Sequence, residues 1–175
     1  MKKDYIVLSF AAMAIVLGVV GFVISNATKE EAPKPQYAAQ QPCELLTLAE
    51  AKEVLGSAAT LVENGQPKNN GDLQIQTCSY GLGSGRDAKI ASVTVRSALT
   101  DEGIKSNQRG FDQNMAGGAM VTVEGYGDHA YWDADKAQFD IHSGRDWIIV
   151  TNSTTDLATA TLDDAKLVAD KALVK

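Results

Sequence analysis

The chain has 175 residues, of which 45% are hydrophobic and 22% charged, and a net charge of −6. Setting aside Lys2, Lys3 and Asp4, which precede an apolar N-terminal run, leaves 14 basic and 21 acidic residues, a net −7. That balance excludes a nucleic-acid partner and an anionic lipid surface as ligand, since either wants clustered basic residues. The length beyond the run suits one domain better than two.

The run itself, Tyr5 to Ser25, holds 21 residues and no charge. As a helix it would be about 30 Å long, the thickness of a bilayer's hydrocarbon core. Residues 1–26 are therefore read as a transmembrane anchor. A cleaved secretory signal is the rival, with Ser25, Asn26 and Ala27 as its cutting site; the length of the run and the acidic Asp4 in its leader favour the anchor. Lys2 and Lys3 place the N-terminus in the cytoplasm and the remainder outside, in the periplasm or at the cell surface, or secreted if the segment is cut. Ala11, Ala14, Gly18 and Gly21 share one face, along which a neighbouring helix could approach.

Residues 27–42 are polar, contain three prolines and read as a linker. The domain proper is assigned to residues 43–175. Cys43 and Cys78 are the only cysteines. An even count in an oxidising compartment reads as one disulfide, and two isolated cysteines do not supply the four ligands of a structural zinc.

Thr47 and Glu50 form a capping-box pattern for a helix carrying Leu48, Ala51, Val54 and Leu55, which Gly56 ends. Ala59 to Glu63 predicts a strand, and Asn64-Gly65 and Asn70-Gly71 predict turns. Leu73 to Tyr80 alternates as a strand. Cys78 argues that its even-numbered side is internal, while Leu73 and Ile75 argue for the other. The glycine-rich stretch after it has a strand, Ile90 to Val95, where a phosphate loop needs a helix, so it reads as a hairpin tip.

Thr100, Asp101 and Glu102 open a helix with an Ile104, Gln108, Phe111 and Met115 stripe, closed by Gly117-Gly118. Met120 to Val123, His129 to Trp132, Gln138 to His142 and Trp147 to Thr151 predict four more strands. Thr161 and Asp164 cap a last helix that turns Leu162, Ala165, Val168, Ala169 and Ala172 inward. These segregated runs predict an α+β domain, an antiparallel sheet with helices packed on one face.

The run from Pro42 to Gly56, the CSY at Cys78, the GYGDHAYW from Gly125 and the FDIHSGRDWIIV from Phe139, with the alanine-rich final helix, together resemble a group of actinobacterial-type cell-envelope lipoprotein domains of unknown function. The resemblance covers about Pro42 to Val174. It implies a disulfide-stapled extracytoplasmic module with no general assigned activity. This chain has no lipid-bearing cysteine, so its anchor would be a helix.

His129 and His142 are the only histidines, with Asp128, Asp133, Asp135, Asp140 and Asp146 around them. An acid–base pair or a carboxylate cation site could be drawn from these, but no calcium-loop spacing and no Gly-x-Ser-x-Gly elbow occurs. No catalytic residue, metal ligand or cofactor is assigned. Gly125, Gly127 and Asp128 read as a tight turn in which the Asp side chain caps local backbone donors. The aromatics Tyr126, Tyr131, Trp132, Phe139 and Trp147 are core residues or, if exposed, a binding surface. The candidate surface is Tyr126, Asp128, His129, Tyr131 and Trp132.

The resulting expectation is a membrane-anchored envelope module that binds another envelope or membrane protein without turnover. The alternatives are an accessory subunit of a membrane complex and a hydrolase using His129 or His142 with a nearby Asp.

Overall fold

The computed structural model describes residues 34–85, 88–118, 120–154 and 156–173. The apolar run and its small-residue face lie outside them. Among the described residues, no helix is long and apolar enough to cross a membrane. The fold is α+β: one antiparallel sheet with a few helices, as the segregated pattern predicts.

Local signals act where the sequence places them. Pro42–Leu45 forms a single turn, α1, and Leu48–Leu55 forms α2. The Thr47 hydroxyl accepts from the Glu50 N–H and the Glu50 carboxylate accepts from the Thr47 N–H, so two of the helix's orphan donors are satisfied. Strands β1 (Thr60–Asn64), β2 (Lys68–Asn69), β3 (Leu73–Leu82) and β4 (Lys89–Ala98) follow. Helix α3 spans Asp101–Ala116, with Thr100 accepting from the Gly103 N–H. Strands β5 (Val121–Thr122), β6 (His129–Asp133), β7 (Gln138–Ser143) and β8 (Asp146–Thr154) precede helix α4 (Leu162–Leu173). The sheet order is β1-β3-β4-β8-β7-β6-β5, with β2 also paired to β3.

Both faces of the sheet are covered, which corrects the expected one-sided packing. Along β8 the side chains alternate between two cores: Ile148 and Val150 join one, Trp147 and Ile149 the other. A strand apolar on both sides needs cover on both. The larger core packs α1, α2 and α4 over β3, β4, β7 and β8 through Leu46, Leu55, Val168, Val93 and Phe139. On the opposite face α3 lays Phe111 against Tyr131 and Trp147.

Helix α3 is also turned from its predicted stripe. Its buried residues are Gly103, Asn107 and Phe111. Asn107 is inside because its amide donates to the carbonyls of Arg96 at 2.7 Å and Arg145 at 2.9 Å. Gly103 is inside because its backbone presses on the Asp72 carbonyl, where a Cβ would collide. Close approach and hydrogen bonding thus set the helix rotation, and Met115 is left 40% exposed.

Strand β3 turns Cys78 and Tyr80 into the larger core, leaving Ile75, 36% exposed, on the opposite face. Its disulfide partner Cys43 lies on α1, with a Cα–Cα distance of 5.2 Å. The Tyr80 hydroxyl donates to the Leu46 carbonyl at 2.8 Å, tying the same two elements a second time.

The linker's closing residues belong to the domain. The Leu99 carbonyl accepts from the N–H groups of Gln36 and Tyr37, and the Gln40 N–H donates to the Ser97 hydroxyl. The Arg145 guanidinium donates to the Ala38 carbonyl at 2.7 Å and lies over the Tyr37 ring. Backbone donors and an Arg–Tyr stack thus hold a polar, proline-flanked stretch that composition alone reads as spacer.

Candidate functional site

The loop joining β5 to β6 is built by glycine. Gly125 and Gly127 have φ of +89° and +55°, and a Cβ on Gly127 would strike the His142 carbonyl. That close approach lets the Asp128 N–H donate to the His142 carbonyl at 2.8 Å. The Asp128 carboxylate accepts from the Gly144 N–H at 2.6 Å, so the acid clips the loop to the β7–β8 turn. The side chain read from the sequence as a cap for donors of its own turn instead caps a donor 16 residues on, across the hairpin.

Tyr126 stands with its ring edge-on to Phe139, centroids 4.9 Å apart, and its hydroxyl donates to Asp170 of α4 at 2.7 Å. Burial, then the hydrogen bond to Asp170, pushes its pKa up to about 12.

The five residues of the candidate surface do not form one surface. Tyr131 is 1% exposed and Trp132 6% exposed, and they belong to the two different cores. Tyr126, Asp128 and His129 do come together. With Met115, Thr122 and Glu124 they line a groove of about 310 Å³ at the edge of the sheet where β5 pairs only with β6. Met115 and Glu124 escape a sequence reading because their place at the rim depends on where the sheet ends beneath α3.

The two histidines are cross-strand partners and differ in environment. His129 is exposed, whereas His142 is 4% exposed. The Phe111 ring meets the His142 ring at 5.6 Å in an edge contact. Neither ring nitrogen of His142 has a hydrogen-bond partner among the described residues, and Nδ1 lies 3.9 Å from the Asp128 carboxylate. Burial lowers its pKa below the ordinary 6.5, against an opposing pull from Asp128, with His129 lowering and Asp112 raising it further. The imidazole is therefore neutral at neutral pH.

Two more carboxylates lie deeper on the α3 face. Asp140 accepts from the Trp147 indole N–H at 2.7 Å, and Asp133 accepts from the Lys136 ammonium at 2.6 Å. Burial raises the Asp140 pKa to about 6; the Trp147 hydrogen bond opposes this and the charge of Asp133 adds to it. The Tyr131 hydroxyl sits beside Asp140, and its pKa is raised first by burial and then by that acid. Among the described residues, no group of three His, Cys, Asp or Glu is arranged to hold a metal ion.

The Asp140 shift carries a stability prediction. Its folded pKa exceeds the ordinary 3.8, so the folded state holds that proton more tightly than the unfolded state. The favourable contribution is complete below about 3.8 and is lost as pH rises through about 6. Asp140→Asn keeps an oxygen for the Trp147 indole and removes the charge. In urea melts it is expected to unfold about 2 to 3 kcal/mol later than the parent at pH 7.5, and to differ little at pH 4. Equal gains at both pH values would refute the assignment.

Comparison with protein-family models, with curated proteins and with solved structures finds no match.

Proposed function

We propose that the chain is a membrane-anchored module outside the cytoplasm that binds a partner in the cell envelope without chemical turnover, its N-terminal run serving as the transmembrane anchor. The observation that carries this reading is the Cys43–Cys78 disulfide, which joins the first helical turn of the domain to β3, the strand next to the edge of the sheet. Such bonds persist in oxidising compartments. The uncharged run of 21 residues supports delivery to one, and the resemblance to actinobacterial-type envelope lipoprotein domains agrees with it.

The groove around Asp128 and His129 supports binding over acid–base chemistry. A general base must reach the proton that it takes. The His142 nitrogens are buried and Nδ1 sits 3.9 Å from Asp128, beyond hydrogen-bond distance, while among the described residues no ion pair joins His129 to a carboxylate.

The test is direct. Cells expressing the full chain are quenched with a membrane-permeant thiol blocker, and the intact mass is measured. Both sulfurs should escape labelling, and a reporter enzyme fused to the C-terminus should be active only outside the cytoplasm. Two labelled cysteines together with a cytosolic reporter would overturn the proposal.

A further inference from the structure

The groove's charge is one-sided. Glu124 and Asp128 both line it and are exposed, and no described lysine or arginine does. Glu124 makes no ion pair or side-chain hydrogen bond among the described residues. Asp128 receives one backbone N–H, from Gly144, and faces the imidazole of His142 at 3.9 Å.

That imidazole is a second, independent sign. It is a polar side chain more than nine-tenths buried, with both nitrogens unpartnered, pointing at the groove-lining carboxylate. Packed against the Phe111 ring, it is pushed by burial toward its neutral form, so that among the described residues no lysine or arginine and no fully charged His142 balances Asp128, and the exposed His129 is the one other imidazole at the groove. Beside the two acids lies an apolar wall, the 40% exposed Met115 together with the ring of Tyr126, which its bond to Asp170 holds in place.

An acidic pair next to a thioether and an aromatic ring matches a cation on an aliphatic stem. We propose that the groove takes a lysine- or arginine-bearing segment of a protein partner, its charged head meeting Asp128 and Glu124 and its stem lying along Met115. This rests on the binding reading above and names the chemistry of what is bound. Small-molecule amines share the head but not the peptide backbone. Gly125, where a Cβ would meet nothing within 4 Å, leaves that side of the loop open to a backbone.

The experiment uses the full chain in detergent micelles, titrated calorimetrically with a blocked Gly-Lys-Val-Lys-Gly peptide. Counterparts carrying glutamate or norleucine in place of both lysines, and free butylamine, complete the set. The lysine peptide is expected to bind roughly tenfold tighter than each of the other three, and to weaken as salt rises from about 20 to about 200 mM. In Glu124→Gln/Asp128→Asn the affinity should fall about tenfold, the loss expected when charge-assisted pairs are removed. In Asp163→Asn, an acid on α4 outside the groove, it should hold.

Equal binding of the lysine, glutamate and norleucine peptides, or an unchanged affinity in the double variant, would overturn the proposal. Butylamine binding as tightly as the lysine peptide would overturn the peptide assignment in favour of a small amine. Should the double variant lose its folded circular dichroism signal, Glu124→Gln alone decides, because that side chain makes no internal bond; an affinity equal to the parent's then refutes the groove. A chain that is oxidised and exported yet ignores the lysine peptide would defeat this inference and leave the binding module standing. A chain found reduced in the cytosol would defeat the reading beneath it.

Discussion

Replacing Cys43 and Cys78 together by alanine is expected to lower the unfolding free energy by about 3 to 4 kcal/mol, the chain-entropy value for a closed loop of this length. The two positions are 35 residues apart, and the loop between them contains α2 and all of β1 and β2. Without the bond, α1 is tied to β3 by the Tyr80–Leu46 hydrogen bond and by the packing of Leu46. The unfolded chain also recovers the freedom of the whole loop. For a domain of this size the melting temperature should drop by roughly 10 to 15 °C. Urea melts of the parent and the double variant, analysed with a shared slope, give the number. A loss under about 1 kcal/mol would mean that the reduced chain retains the loop's structure when unfolded, contrary to the entropic argument.

Phe111→Ala is the other large effect, at about 3 to 5 kcal/mol, the range for deleting a buried phenylalanine ring. Phe111 is the one large apolar side chain that α3 buries. Its ring meets Tyr131 at 4.8 Å, His142 at 5.6 Å and Trp147 at 5.9 Å, so the cavity opens among three side chains at once. Met115→Ala, one turn away and partly exposed, should cost under about 1 kcal/mol.

The same substitution has a second readout. His142 is held below its ordinary pKa chiefly by burial, so in the parent its contribution to stability is present above about 6.5 and is lost as pH falls through and below that value. Removing the ring admits water, the His142 pKa rises toward 6.5, and that part of the acid sensitivity disappears. Histidine proton shifts followed by NMR between pH 4 and 8 check it. An unmoved His142 titration in the variant would show that something other than the Phe111 ring keeps it dry.

Much of the chain announces itself locally. Thr47 and Glu50 cap α2 because a capping box needs only residues three apart. Gly125, Gly127 and Asp128 make their turn because positive φ and a carboxylate acceptor are properties of those residue types. The cysteine pair follows from an even count with no metal-ligand spacing. Binary alternation likewise marks β3, β6 and β7 to within two residues and β4 and β8 to within three, since a strand's period is visible without its neighbours.

Other features exist only once distant segments meet. Tyr131 and Trp132 read as neighbours on a binding surface, but adjacent strand residues point to opposite faces, and both faces of this sheet are covered. The face that α3 presents was chosen by the Arg96, Arg145 and Asp72 carbonyls, none of which announces itself in the helix's own pattern. Gln36 to Gln40 look like spacer because nothing in them is apolar enough to demand burial; the Leu99 carbonyl and Arg145 recruit them.

By itself the sequence determined the α+β class, the order of the longer elements, the cysteine pairing and the glycine-built turn, because each depends on the chemistry of residues close in the chain or on a count of them; the two-residue β2, inside a stretch read as turns, it did not show. Only the tertiary structure decided which faces are buried, where the groove lies, and that His142 sits dry beside Asp128. Burial, and with it the charge state of an imidazole, is set by whatever packs across the sheet, and a one-dimensional pattern does not contain its own covering.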